Sequence, residues 1–416
     1  MSVAIIPMSQ EFGWSGSQRG LISSAFFWGY ALTQVPGGML ANRFHGKNVL
    51  AAGVALWSIG TALAPIASTY SLLCLCTTRL LVGLGEGVAP PSATDVLART
   101  IPKKNRASAV GMVFGGMDIG SVIGLLVAQA LIFKYGWQSV FYIYAGLGGI
   151  WLIDWKNRGY KILSRIEKEK ELAGETYVRH GDGLDMPSPD GELPINRNAV
   201  PWKSFFENKH VWAIICAHFC FNWGYYSLLA WLPSFFEGSL GLSLSNSSYL
   251  SILPYICMSG MSAIVGPTAD WLISKKKWST TKVRKLAQGL AFIVPAFIML
   301  LVSTMIPSST KSATPMMCLQ IEALLCIAFA CWTCSRAGLY CNHQDLSPKY
   351  AGILLGITNT AGALPGILGV WIVGIILDRT GSWALGLFLP SVAIQLFGAF
   401  IWLRYASGKR QAFDKM

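Results

Sequence analysis

The chain has 416 residues, of which 53% are hydrophobic and 13% charged, with a mean hydropathy of +0.47 and a formal net charge of +13. Soluble domains carry about 25% charged residues, so a water-soluble globule is excluded and a polytopic membrane protein is implied. The positive excess does not point to nucleic acid, because most of it lies in alternate connections between apolar segments.

The chain opens on Met1-Ser-Val-Ala-Ile-Ile-Pro-Met8, which is apolar but too short to cross a bilayer. It reads as the last turns of a truncated first helix, with Met1 as an internal start. Apolar segments of spanning length follow at 18–41, 47–67, 70–98, 106–133 and 137–155. A second set falls at 210–236, 245–273, 283–306, 315–341, 350–377 and 383–405. The expectation is an all-α membrane protein with eleven full spans plus a remnant. Four regions are expected: an N-terminal bundle at 1–156, a linker at 157–209, a C-terminal bundle at 210–405 and a polar tail at 406–416. Within the linker, 161–172 has the charge pattern of a short surface helix, and 174–201 is rich in Gly, Pro and Asp.

Topology follows from Lys and Arg. Arg43, Lys47, Arg99, Lys103, Lys104, Arg106, the linker, Lys275–Lys277 and the tail fall on one side, which the positive-inside rule makes cytoplasmic or its organellar equivalent. The opposite connections hold few basic residues, Arg19, Lys134, Lys311 and Arg379.

The third segment contains Arg79 and Glu86. A charge at bilayer depth costs about 2.5–3.5 kcal/mol on insertion scales, so it faces protein or a water-filled route. Seven residues apart, the two share a helix face about 10 Å apart along the axis. At an effective dielectric near 20 their attraction is only about 1–2 kcal/mol. Arg79 is left seeking an anion, and its guanidinium fork suits phosphate or carboxylate. The plain alternative is an ion pair with a neighbouring helix. Glu86, taken out of water, can hold a proton or face a cation; the alternative is a packing carboxyl in Gly83-Leu-Gly85-Glu-Gly87. Asp118 is a second candidate for the coupling ion. Tyr30 and Gln34, four apart, are candidate substrate contacts, with ordinary interhelical bonds as the alternative; His218 and Asn222, also four apart, are candidates too, as is Asn359 between Gly356 and Gly362, where close backbone approach at the glycines is the alternative. Cys331 and Cys334 form C-x-x-C, but without a second ligand pair it suggests no metal or redox site. No convergent catalytic set is found, so an enzyme is not expected.

The halves echo one another. Gly38-Met-Leu-Ala-Asn42-Arg43-Phe-His-Gly-Lys47 pairs with Gly266-Pro-Thr-Ala-Asp270-Trp-Leu-Ile-Ser-Lys275. Such paired halves around a long polar loop suggest a transporter. The first string resembles the loop signature of the major facilitator superfamily. Arg79-Leu-Leu-Val-Gly-Leu-Gly-Glu86-Gly87, Pro201-Trp-Lys-Ser-Phe-Phe206, Val211-Trp-Ala-Ile-Ile215, His218-Phe-Cys-Phe-Asn-Trp-Gly224 and Asn342-His-Gln-Asp345 resemble its anion:cation symporters of the solute carrier 17 type, most of all the plant plastid branch. The resemblance implies a two-bundle fold with pseudo-two-fold halves, in a plastid inner envelope or thylakoid membrane. It implies alternating-access symport of phosphate, or of an organic anion such as ascorbate, with sodium or protons. No cofactor beyond the coupling ion, no nucleic acid and a monomeric working unit go with it; a non-transporting anion receptor is the rival class. It also implies gating loops at Asn42, Arg43, Asp270, His343 and Asp345. The family pattern has Asp where Asn42 stands, and an arginine before the string matching Met1-Ser-Val-Ala that this chain lacks.

Overall fold

A computed structural model describes residues 1–100, 103–172, 179–180, 183–184, 201–243, 246–247, 250–306, 313–347, 350–411 and 413. Those residues are helical almost throughout. The first half contains α1 (Ile5–Phe12), α2 (Gly16–Phe44), α3 (Gly46–Tyr70), α4 (Leu72–Gly87), α5 (Ala89–Thr100), α6 (Lys103–Tyr135) and α7 (Trp137–Asp154). A π-helical turn at Trp155–Gly159 leads into α8 (Tyr160–Leu172), the surface helix expected in the linker. A two-residue antiparallel pair, Arg179–His180 with Gly183–Leu184, follows. The second half contains α9 (Trp202–Glu207), α10 (Lys209–Leu240), α11 (Leu253–Ser274), α12 (Thr280–Met305), α13 (Pro315–Trp332), α14 (Leu339–Leu346), α15 (Ala351–Thr380) and α16 (Leu389–Tyr405).

Helix ends follow local chemistry. Side-chain oxygens of Ser71, Asn208, Ser279 and Thr314 accept from free backbone N–H groups at the starts of α4, α10, α12 and α13. Left-handed Gly241 and Gly381 close α10 and α15.

Seven of the described helical stretches are long and apolar enough to cross a membrane on composition alone, against the eleven spans expected. The shortfall has a compositional side. α2 carries Gln18, Arg19 and Gln34, while α7 and α10 are rich in Trp, Tyr and Gly, which lower mean hydropathy without making a helix water-seeking. Leu32, Phe133, Ile150, Phe297, Leu319 and Phe400 are each more than half exposed, an outward apolar surface that suits lipid rather than water.

The chain divides into two compact units. One comprises Ala25–Met117 and Gln138–Val200. In it α3 and α4 approach closely: a Cβ on Gly53 would lie 2.7 Å from the Gly85 carbonyl, and one on Gly85 2.6 Å from the Gly53 carbonyl. The start of α3 is tied down twice. Gly46 N donates to Asp95 Oδ2 at 2.7 Å, and Lys47 Nζ reaches Ser164 Oγ at 3.0 Å across the Tyr160 ring.

The other unit comprises Met1–Ser24, Asp118–Trp137 and Pro201–Met416. Here α10 packs on α15 and α16, α12 on α13 and α16, and α11 on α13. Phe235, Phe236, Phe292, Phe329, Trp332, Phe388 and Trp402 are fully buried among them. The N-terminal residues join this core, with Ile5, Ile6 and Met8 buried. Asp378, at the end of α15, accepts from Gly16 N at 2.6 Å and Ser17 N at 2.7 Å, placing a carboxylate on the N-terminus of α2. Gln10 Nε2 donates to Glu237 Oε1 at 2.9 Å, and Arg19 donates to Ser234 Oγ while lying over the Trp231 ring.

Candidate functional site

In the first unit the glycine string of α4 explains where its charges sit. Gly83 and Gly87 are one turn apart and face α2. A Cβ on Gly83 would run into the Phe26 carbonyl, one on Gly87 into Thr33 Oγ1, and one on Gly29 into the Leu80 carbonyl. Gly85, on the other flank, faces α3. The backbones of α2, α3 and α4 therefore meet without intervening side chains, and α4 is held on both sides. Arg79 and Glu86 fall on the stripe that carries Gly83.

Arg79 is half-buried. Its guanidinium carbon lies 5.8 Å from the Phe26 ring centroid, and its Nε is buried without a hydrogen-bond partner. Among the described residues no carboxylate lies within 4 Å of it. Glu86 is also half-buried, and it too forms no ion pair there. The Phe26 ring stacks on Tyr30 at 5.7 Å, and Tyr30 sits beside Gln34, whose buried Nε2 has no partner. Arg79, Phe26, Tyr30 and Gln34 are thus a continuous run of neighbours with two buried donors unmet. Chemically, the run offers a permanent cation and an amide donor, which suit an oxyanion.

In the second unit His218 and Asn222 are buried on α10. Asn222 Nδ2 donates to the Gly362 carbonyl on α15 at 2.8 Å, and a side chain at Gly362 would collide with both residues. His218 Nε2 lies 3.4 Å from the Tyr340 hydroxyl, with its Nδ1 unpartnered. His343 bridges from the Tyr340 carbonyl (3.2 Å) to Thr358 Oγ1 on α15 (2.8 Å). Asp345 forms a two-point ion pair with Arg284 of α12, at 2.6 Å to Nε and 3.3 Å to the second nitrogen, and Arg284 also donates to the Ala337 carbonyl at 2.9 Å. Asn359 is half-buried and makes no hydrogen bond among the described residues.

The residues expected in gating loops all fall on helices. Asn42 and Arg43 are on α2, Asp270 on α11, and His343 and Asp345 on α14. The helices run to the edge of each connection, so short turns leave no separate loop there. Arg43 and Asp270 are exposed. The side chains of Asn42 and Asp118 lie outside the described residues. Sequence reading missed four groups: Arg284, Asp378, Tyr340 and Glu322, a lone carboxyl inside α13. Glu322 had a signal, being the one charged residue in that segment's apolar run before Arg336.

Residues 1–370 match the family model described as Major Facilitator Superfamily. "Probable anion transporter 6, chloroplastic" of Arabidopsis thaliana is 45% identical over 416 residues, 100% of this chain and 77% of that protein. "Ascorbate transporter, chloroplastic" of Arabidopsis thaliana is 40% identical over 99% of this chain and 72% of its own length. "Sodium-dependent phosphate transport protein 1, chloroplastic", also of Arabidopsis thaliana, is 39% identical over 99% of this chain and 76% of its own length. Among solved structures, a D-xylose-proton symporter superposes with a TM-score of 0.69 at 14% identity, covering 99% of this chain and 96% of that one, a likeness of fold.

Proposed function

Because the chain belongs to the major facilitator superfamily, a family of transporters and not of enzymes, we propose that it is a secondary carrier of small anions in a plastid membrane. It works as a monomer by alternating access, with inorganic phosphate as the first-choice substrate and sodium or protons as the driving ion. The plastid placement and the anion class are supported by relatives whose names carry both. The single observation that carries the reading is the buried, unpartnered Nε of Arg79, held half-buried on a helix locked by glycine contacts.

In this mechanism the anion docks on the Arg79 fork, with Tyr30 and Gln34 as neighbouring contacts; His218, Asn222 and Asn359 of the second half are proposed as substrate contacts on their own helices. Glu86, with Asp118, ties movement of the anion to the cation gradient. A carboxylate close to the docking arginine disfavours a second negative charge; a cation or proton on it relieves that repulsion and admits the anion. Asn42, Arg43, Asp270, His343 and Asp345 act at the ends of the helices that must part during the cycle.

The second reading keeps the class and changes the cargo to an organic anion, and the 40% identical ascorbate transporter favours it. The test is counterflow in proteoliposomes preloaded with unlabelled phosphate. Labelled phosphate uptake that excess ascorbate leaves intact supports phosphate. Labelled ascorbate counterflow without phosphate counterflow supports the organic-anion reading. Saturable binding of either anion with no counterflow contradicts transport and favours a receptor.

A further inference from the structure

We propose that Glu322 is a further coupling carboxyl, and that the ion it binds is a proton rather than sodium. The proposal rests on the transport reading above and deepens it by naming the ion. Glu322 stands in Pro315-Met-Met-Cys-Leu-Gln-Ile-Glu-Ala-Leu-Leu-Cys-Ile-Ala-Phe-Ala-Cys-Trp332, the only charged residue of α13. It lies seven residues into the helix, about 10 Å from its start. The positive-inside assignment puts that start on the side opposite the basic loops. The residue is only 2% exposed, so it lies within the packed helices and not toward lipid.

Its surroundings are unusually poor in partners. Cys326, one turn on, offers a thiol to Oε1 at 3.5 Å, and Oε2 is buried with no partner. The elements packed on α13 bring no cation to it among the described residues: α10 meets it through the Tyr225 phenol, which lies against Phe329 and Trp332. On α11 the titratable groups are Tyr255, Cys257 and Asp270; Tyr255 packs edge-on against Phe329, and Cys257 lies near Cys326. On α12 every titratable side chain lies in the first turns, at Lys282, Arg284 and Lys285, with none from Leu286 to Met305. Cys334 and Arg336 follow in the 3-10 turn after α13, and Arg336, about 21 Å further along the axis, is hydrogen-bonded to Ser262. Among the described residues no Lys, Arg or His nitrogen lies within 4 Å of the Glu322 carboxylate.

A bare carboxylate in such a place is strongly penalised, with nothing to offset the lost hydration. Carrying a proton removes the charge and leaves at worst one unmet O–H, a much smaller cost. Sodium does not fit the same pocket of atoms. Hard cations take carboxylate, carbonyl and water oxygens, whereas the side-chain partner that Glu322 has among the described residues is a thiol. A purely structural role fits badly too, since a hydrocarbon side chain of similar volume would pack there without the unmet oxygen. An intramembrane carboxyl that is neutral in this state, close to one end of its helix, is suited to release its proton when the surrounding helices reopen to water.

The experiment uses the full chain in proteoliposomes, with phosphate and ascorbate each as probe, and compares wild type, Glu322→Gln and Glu322→Asp. Gradient-free counterflow and uptake driven by an imposed pH gradient are measured separately. Infrared spectroscopy at neutral pH reads the carboxylic-acid C=O band directly. Expected are an infrared band in wild type that is lost in Glu322→Gln, preserved counterflow in Glu322→Gln, and loss of its pH-gradient drive. Glu322→Asp should keep both activities. The proposal is overturned if Glu322→Gln retains the full response to the pH gradient, if wild type transports without any such response, or if wild type lacks the band. Loss of counterflow in both variants points to a structural role and also overturns it. Wild type with the band but no counterflow leaves proton binding in place and defeats the transport reading instead.

Discussion

Replacing Gly83 with alanine tests whether the glycine seam sets the position of Arg79. The added Cβ would overlap the Phe26 carbonyl and stand 2.8 Å from Tyr30 N, where ordinary contact begins near 3.4 Å. Both obstacles are backbone, so no rotamer change relieves them. Helix α2 has to retreat, and at Gly29, which meets Leu80 O and Leu84 N, the same seam then opens. Overpacking of this kind costs about 1–3 kcal/mol, against about 0.5–1 kcal/mol gained from replacing a mid-helix glycine. The net expectation is a loss of up to about 2.5 kcal/mol, the cost exceeding the gain over nearly all of the two ranges. Gly146→Ala in α7 is the control: its Cβ meets nothing within 4 Å, so only the helix gain applies. Thermal unfolding in one detergent should lower Tm for Gly83→Ala and leave it level or raised for Gly146→Ala. Anion counterflow per folded molecule should fall only in the first, because Arg79 moves with α4. Equal Tm shifts in the two variants, or a Gly83→Ala protein with unchanged counterflow, would refute the reasoning.

Asp378→Ala leaves the Gly16 and Ser17 amides without their acceptor and should destabilise by about 1–2 kcal/mol, read as a lower Tm; an unchanged Tm would show that solvent replaces the carboxylate without loss. Arg284→Met strands the mostly buried Asp345, whose side chain is 16% exposed; it should cost about 3 kcal/mol, with the Arg284→Met/Asp345→Leu pair recovering most of it. A double variant as unstable as the single one would place the effect in the Ala337 contact instead.

How much of this was legible in the sequence depended on whether a residue's partner lay on its own segment. Arg79 and Glu86 stood out because a charge within an apolar run has a known cost, and Gly83, Gly85 and Gly87 stood beside them as a readable string. The surface helix at Tyr160–Leu172 declared itself by charge. Asp378 and Arg284 did not, because their partners are remote: Asp378 caps a helix 362 residues away, and Arg284 pairs with Asp345 at a separation of 61. At the end of an apolar segment each looks like an ordinary membrane-edge charge. Glu322 escaped for a related reason. Seven residues into its segment, beside Gln320, it reads as interfacial, and only packing of α11 and α12 on α13 shows it buried. The spans were harder to count than to notice, since α7 and α10 draw their apolar character from aromatic rings that hydropathy ranks low.

The central claim is that Arg79 is a docking fork and not merely a positive charge. Arg79→Lys keeps the charge and removes the fork. With one charged hydrogen bond lost, about 1.5–3 kcal/mol, counterflow at subsaturating phosphate or ascorbate should fall about tenfold to a hundredfold, while Tm and yield match wild type. Wild-type counterflow by a folded Arg79→Lys protein at those substrate levels would contradict the account.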